Sequence, residues 1–193
     1  MPVHFRGFRF QVALLVFLVV SALGLGVKYL HQQTKVLDPL IEQIQGVPGV
    51  VDVRSEQSIL DRTSRVLLTL QVEQDSRLAV LFPRVYQTLL AQGGTYGVRV
   101  EDAPNSALLE VFQRVQIAVE EAIVTGEFTA LETRVKQLAD EAGLAWELGL
   151  DREFIYLSLV QGESTLRRIV SRGVSEGRVR VYTDGGVTSW PNG

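Results

Sequence analysis

The hydrophobic positions of this chain change period repeatedly, and each change marks an element boundary. From Phe10 to Val27 the run FQVALLVFLVVSALGLGV has no period: it is apolar on every side apart from Gln11 and Ser21, and it carries no charge. At 1.5 Å per residue its 18 residues reach about 27 Å as a helix, close to the roughly 30 Å of a bilayer's hydrocarbon core. Tyr29 and Leu30, with Lys28 snorkelling, make up the difference. A buried core helix keeps one polar stripe, so residues 10–30 are expected to form a transmembrane helix, anchored through Phe10, Leu14, Phe17, Val20 and Val27.

After a short polar stalk over 31–36 the period becomes helical. Asp38-Pro39 offers a side-chain cap followed by proline, and Leu40, Ile41, Ile44 and Val47 recur until Gly46 and Pro48-Gly49 end the run. Val50, Val51 and Val53 then start an extended segment. Val66, Leu68, Leu70 and Val72 alternate with Thr69, Gln71 and Glu73, so a hairpin is predicted. A second helix over 76–92 carries Leu78, Phe82, Val85 and Leu89, with Pro83 expected to kink or split it, and Tyr96, Val98 and Val100 predict a third strand. Residues 37–103 therefore predict one αββαβ module.

A connecting helix over 104–127, capped by Asn105 or Ser106, carries Leu108, Phe112, Val115, Val119 and Ile123 and stops at Gly126. The same order is then predicted again over 128–184. A helix opens with Thr129 and Glu132 as a capping box, and strands follow around Leu144 to Leu150 and Glu153 to Gln161. Ser164 caps a short helix with Leu166, Ile169 and Val170, and Val179 and Val181 mark a closing strand. The tail over 185–193 is expected to be flexible. The predicted fold class is α+β: an N-terminal transmembrane helix, then two small αββαβ sandwich modules joined by a long helix. The strand edges around Val66 to Glu73 and Phe154 to Gln161 are expected to be contact surfaces.

Charge refines the location. Arg6 and Arg9 precede the apolar run, leaving 17 basic against 22 acidic side chains after it, which argues against a nucleic-acid partner. The same arginines place residues 1–9 in the cytoplasm and the body outside it, since Lys28 and Lys35 are soon offset by Asp38 and Glu42. Ser21, Ala22, Gly24 and Gly26 could serve a signal peptidase, but the run exceeds the usual length of a cleaved leader's apolar region. The expectation is a single-pass cell-membrane protein.

The candidate chemistry thins out on inspection. With no cysteine, disulfides, thiolate metal sites and thiol nucleophiles are excluded together. Gly173 to Gly177 spells G-x-S-x-G around Ser175, but a helix is predicted before it, a strand after it, and no histidine follows. His4 and His31 flank the apolar run on opposite sides. Glu120-Glu121 and Asp140-Glu141 are adjacent pairs that diverge on helices. Gly46 to Gly49 has the G-x-x-G form of a KH loop without its positive charge. No catalytic, metal-binding or cofactor-binding residue is assigned and no cofactor is expected. Arg167, Arg168, Arg172, Arg178 and Arg180 form the basic cluster, readable as a solvated face or as a docking surface for an acidic partner or anionic lipid.

The anchor, the αββαβ order and the segment IEQIQGVPGVVDV resemble the ring-building modules of secretion and sporulation membrane proteins and, more loosely, BON-type domains. The turn is also similar to that of heavy-metal-associated domains, whose Cys-x-x-Cys loop is lacking here. The ring-building resemblance implies a non-enzymatic part of an envelope assembly, so the expected function is a membrane-anchored extracytoplasmic structural or interaction protein. Its expected partners are the membrane and a further copy of itself or another envelope protein. The alternative is a small-molecule binder or hydrolase with a pocket between the modules, lined by Glu147, Arg152 and Tyr156.

Overall fold

The structure is a computed structural model describing residues 37–57, 66–173, 179–183 and 186–187. The body is the compact unit Ile41–Gly193; of the unit before it only residues 37–40 are described, as the start of the first helix. Helix α1 (Asp38–Gln45) ends at the Gly46–Gly49 turn, and β1 (Val50–Gln57) follows. Strand β1 runs antiparallel to β2 (Val66–Val72), as the alternation predicts. Helix α2 (Leu78–Gln92) then carries the chain back, so β3 (Tyr96–Val100) lies parallel to β2. Pro83 does not split α2, which is continuous from Leu78 to Gln92. The proline sits in the second turn and forfeits one ladder bond there.

Asn105 caps α3 (Ser106–Thr125) by accepting from the Leu108 amide at 2.9 Å, and Gly126 closes it in the left-handed region. Helix α4 (Phe128–Glu141) begins one residue before Thr129, so the expected capping box is not formed and Thr129 lies inside the first turn. Strands β4 (Ala145–Leu150), β5 (Phe154–Gln161) and β6 (Ser164–Ser171) then form an antiparallel three-stranded sheet.

Residues 164–171 therefore correct the predicted helix. Gln161 pairs with Ser164 across Gly162-Glu163, and Gly162 at φ 61° meets the positive-φ demand of a two-residue hairpin turn. Leu166, Ile169 and Val170 are spaced i, i+3, i+4, which imitates a helix, but Thr165 to Val170 are buried on both faces of a strand. Strand β7 (Val179–Thr183) supplies the second correction: it leaves this sheet and pairs parallel to β3. Strand β8 (Gly186–Val187), in the segment expected to be flexible, pairs with β7, giving a five-stranded sheet ordered β1-β2-β3-β7-β8. The chain is thus an α+β protein in two sheets and not two successive αββαβ modules. The expected transmembrane helix is corrected as well: among the described residues no helix is long and apolar enough to cross a membrane, and residues 10–30 lie outside them.

The three-stranded sheet is covered on both sides. Ile155, Leu157, Leu159, Leu166 and Val170 pack against Leu108, Val111, Val115, Val119, Leu131 and Val135 of the α3–α4 hairpin. On the opposite face Phe154 meets Phe82 and Tyr86 of α2 edge-on at 5.3 and 5.1 Å between ring centres. Such pairs add about 0.5–1.5 kcal/mol beyond the area they bury. Helix α2 also touches β7, and so lies between the two sheets.

Candidate functional site

Strand β6 carries the core of the basic cluster, and burial changes its meaning. Arg167 and Arg168 are 6% and 8% exposed. Successive strand residues point to opposite faces, so the two guanidinium groups leave the sheet in opposite directions. Arg167 donates to the carbonyls of Glu73 and Gln74 at 2.8 and 3.1 Å, closing the turn that leads into α2. Burial pushes its guanidinium below the ordinary value, while Asp102 pulls it up. Arg168 lies over the Phe112 ring of α3 at 5.2 Å and donates to Asp102, whose carboxylate also receives the Arg167 amide at 3.0 Å. The side chains of Arg168 and Asp102 are 9% and 2% exposed, making this a buried ion pair. Arg172 donates to the Asp151 carbonyl and stacks on Phe128 at 4.4 Å. Arg180 is half-buried in β7 with an interaction of its own, and Arg178 lies outside the described residues. The structure brings Arg167 and Arg168 together as internal ties between the two sheets' connecting segments.

The residues of the alternative pocket are likewise engaged. Glu147 accepts from Arg77 Nε at 2.9 Å. Tyr156 is buried and donates to Asp151 Oδ2 at 2.6 Å. Burial first, then that hydrogen bond and the charges of Asp151 and Glu153, hold its phenol far above the ordinary range. Arg152 is exposed on the turn between β4 and β5. The cavity found among the described residues is elsewhere: an open groove of about 350 Å³ between α3 and α4, lined by Glu121, Thr125, Glu127, Arg134 and Gln137.

The carboxylate pairs do not converge on a metal. Asp140 binds Lys136 one turn away, Glu141 accepts from Gln137 at 2.9 Å, and among the described residues no cluster of three metal-ligating side chains exists. Ser175, His4, His31 and the anchor residues Phe10, Leu14, Phe17, Val20 and Val27 lie outside the described residues.

Two surfaces remain that side-chain chemistry did not single out. The face of α3 turned away from its core carries exposed apolar side chains among polar ones: Leu109, Ile117 and Val124 are 41%, 72% and 86% exposed, with Gln113 and Glu120 between them. Their spacings of eight and seven residues put them within about 80° of one another on a helix of 3.6 residues per turn. That signal was readable in the sequence, behind the stronger core stripe. The sheet borders form the second surface. The expected contact strands around Val66 to Glu73 and Phe154 to Gln161 contain β2 and β5, each interior to its sheet, while β1 and β4 occupy borders. Comparison of the chain with protein-family models, curated proteins and solved structures finds no match.

Proposed function

We propose that this chain works by protein–protein contact, as a non-enzymatic member of an envelope assembly at a membrane, with the body outside the cytoplasm. The single observation that carries the contact reading is the set of exposed apolar side chains on the outward face of α3. A helix that packs one face into a core normally turns polar side chains outward; α3 also exposes Leu109, Ile117 and Val124 there, interspersed with Gln113 and Glu120. Fully covering an exposed side chain of this size contributes about 1.5–3 kcal/mol, and less for Leu109, which is already more than half covered. Confinement near a membrane lowers the entropic cost of encounter, so a surface of this size can suffice. The α-β-β-α-β order from Asp38 to Val100 supports the likeness to ring-building modules. The charge-free run from Phe10 to Val27, preceded by Arg6 and Arg9, supports the location.

One experiment tests both parts. The chain lacks cysteine, so Ile117→Cys or Val124→Cys creates a unique attachment point for a membrane-impermeant thiol-reactive photocrosslinker. Reaction in intact cells followed by crosslinking to protein is expected, and Ile117→Asp should weaken the same complex at least about tenfold, or 1.4 kcal/mol, without changing the melting temperature. Labelling only after lysis overturns the location. Labelling without any crosslink overturns contact through α3.

A further inference from the structure

Every border of a β-sheet presents unpaired amide and carbonyl groups, and folded chains blunt them with bulges, charges, short strands or covering segments. Among the described residues the two sheets have four borders, and three of them are blunted. At β6, Ala103 exchanges two backbone hydrogen bonds with Thr165 at 3.1 and 3.2 Å, and Asp102 takes the Arg167 amide. Strand β8 is two residues long. Strand β1 has an irregular register between Val50 and Asp52, carries Asp52, Arg54 and Glu56, and turns the Asp52 carboxylate onto the Val53 amide at 2.9 Å.

Strand β4 has none of these devices. Its ladder with β5 is regular over six pairs, from Ala145 opposite Val160 to Leu150 opposite Ile155, and its outer side is unpaired among the described residues. Its sequence AWELGL holds no proline or lysine, and its one charge, Glu147, accepts from Arg77 at the start of α2. Trp146 and Leu148 are half-buried against the α3–α4 core, and Leu150 is 47% exposed beside them.

We propose that β4 pairs antiparallel with β4 of a second copy of this chain, Leu148 opposite Leu148, to make one continuous six-stranded sheet. The proposal rests on the contact reading above and deepens it by naming a surface and an occupant. The argument for a second copy is self-complementarity. A two-fold axis perpendicular to the sheet keeps both α3–α4 hairpins on one side, so even-numbered residues must face even-numbered ones. Centring the axis on Glu147 sets two carboxylates directly opposite, which is destabilising. Centring it on Trp146 or Gly149 shortens the overlap and leaves Leu150 or Trp146 without an apolar partner across the junction. Centring it on Leu148 overlaps residues 146–150, sets Trp146 against Leu150 in both halves, and places Glu147 opposite Gly149, where no charge and no side chain compete.

The natural absence of cysteine makes the register directly testable in the full-length chain. Residues opposite each other in an antiparallel pair have Cα atoms about 4.5–5.5 Å apart, within reach of a disulfide. Trp146 and its own counterpart would be roughly 13 Å apart, four residues along the strand. Under mild oxidation Leu148→Cys is expected to form a linked dimer. Trp146→Cys and Leu150→Cys are expected to link when mixed and not when alone. A folded Leu148→Cys chain that stays monomeric, or Trp146→Cys linking to itself, overturns the pairing. Hydrogen exchange in the unsubstituted chain gives a second reading that no failure of a variant to fold can spoil. The β4 amides should be protected at high concentration and lose at least tenfold protection on dilution; concentration-independent exchange overturns the proposal. Crosslinks from Ile117→Cys or Val124→Cys to another protein, with no β4 link, overturn the pairing and leave the contact reading intact.

Discussion

Asp102 joins segments far apart in the chain, because it is nearly fully buried and serves both the Arg168 guanidinium and the Arg167 amide. Removing one partner of a buried pair leaves the other charge without compensation, at a cost of about 3–5 kcal/mol, whereas replacing both with apolar residues of similar volume often costs little. Asp102→Leu should therefore lower the unfolding free energy in urea by that amount, and the double change Asp102→Leu with Arg168→Met should recover most of it. If the double variant is as unstable as the single one, the ion pair is not what the substitution breaks. Tyr156 gives a pH counterpart. Its folded-state pKa lies above the ordinary value near 10, so its contribution is fully present below about pH 10 and is lost progressively as pH rises above that value towards the folded-state one, because the unfolded chain releases the phenolic proton first. Stability should fall there by up to about 1.4 kcal/mol per pH unit for this group, and Tyr156→Phe should flatten that slope while costing about 1 kcal/mol at neutral pH for the lost bond to Asp151. Equal alkaline slopes in the two chains would remove Tyr156 from the explanation.

Between elements, α2 comes tightly against β4 at Gly149. A Cβ there would stand 2.4 Å from the Cβ of Ala79, so β4 can lie against α2 only because this position has no side chain. Gly149→Ala should destabilise the chain by about 1–3 kcal/mol through overpacking. Adding Ala79→Gly removes the clashing atom and should return part of that loss, less about 1 kcal/mol for glycine inside a helix. Full additivity of the two changes would show that they do not meet. The aromatic contacts of Phe82, Tyr86 and Phe154 lie on the same side of the sheet, so a displaced α2 should also alter near-ultraviolet circular dichroism.

At the level of the whole molecule, β7 ties the end of the chain to a sheet begun more than a hundred residues earlier. Its partner β3 would otherwise be a second unprotected border, with Tyr96 to Val100 exposed along it. A chain ended after Gly173 should consequently lose its cooperative melting transition and associate on size-exclusion chromatography, although both α3–α4 and the three-stranded sheet remain complete. Retention of a monomeric, cooperatively melting fragment would mean that β7 is dispensable to the first sheet.

Several elements were readable from local chemistry alone. The first six elements follow from period changes and turn residues that act within a few positions of themselves: Asn105 and Gly126 at the ends of α3, and the alternation of β2. The α3–α4 hairpin is equally legible in its core stripe. Strand β6 was not legible, because a strand buried on both faces has no polar period, and Leu166, Ile169 and Val170 fit a helix as well as a strand. Nor could the sequence show that Arg167 and Arg168 are internal. A guanidinium counts as surface charge until Asp102, Glu73 and Gln74, remote in the chain, are brought within hydrogen-bond distance. Strand order belongs to the same class. Whether β2 or β1, β5 or β4, forms a border depends on which strands lie on either side, and pairing of β7 with β3 is a long-range choice. Period and capping are properties of neighbouring residues and were set by the sequence itself; burial of charge and the position of sheet edges arise only when distant segments compete for the same space.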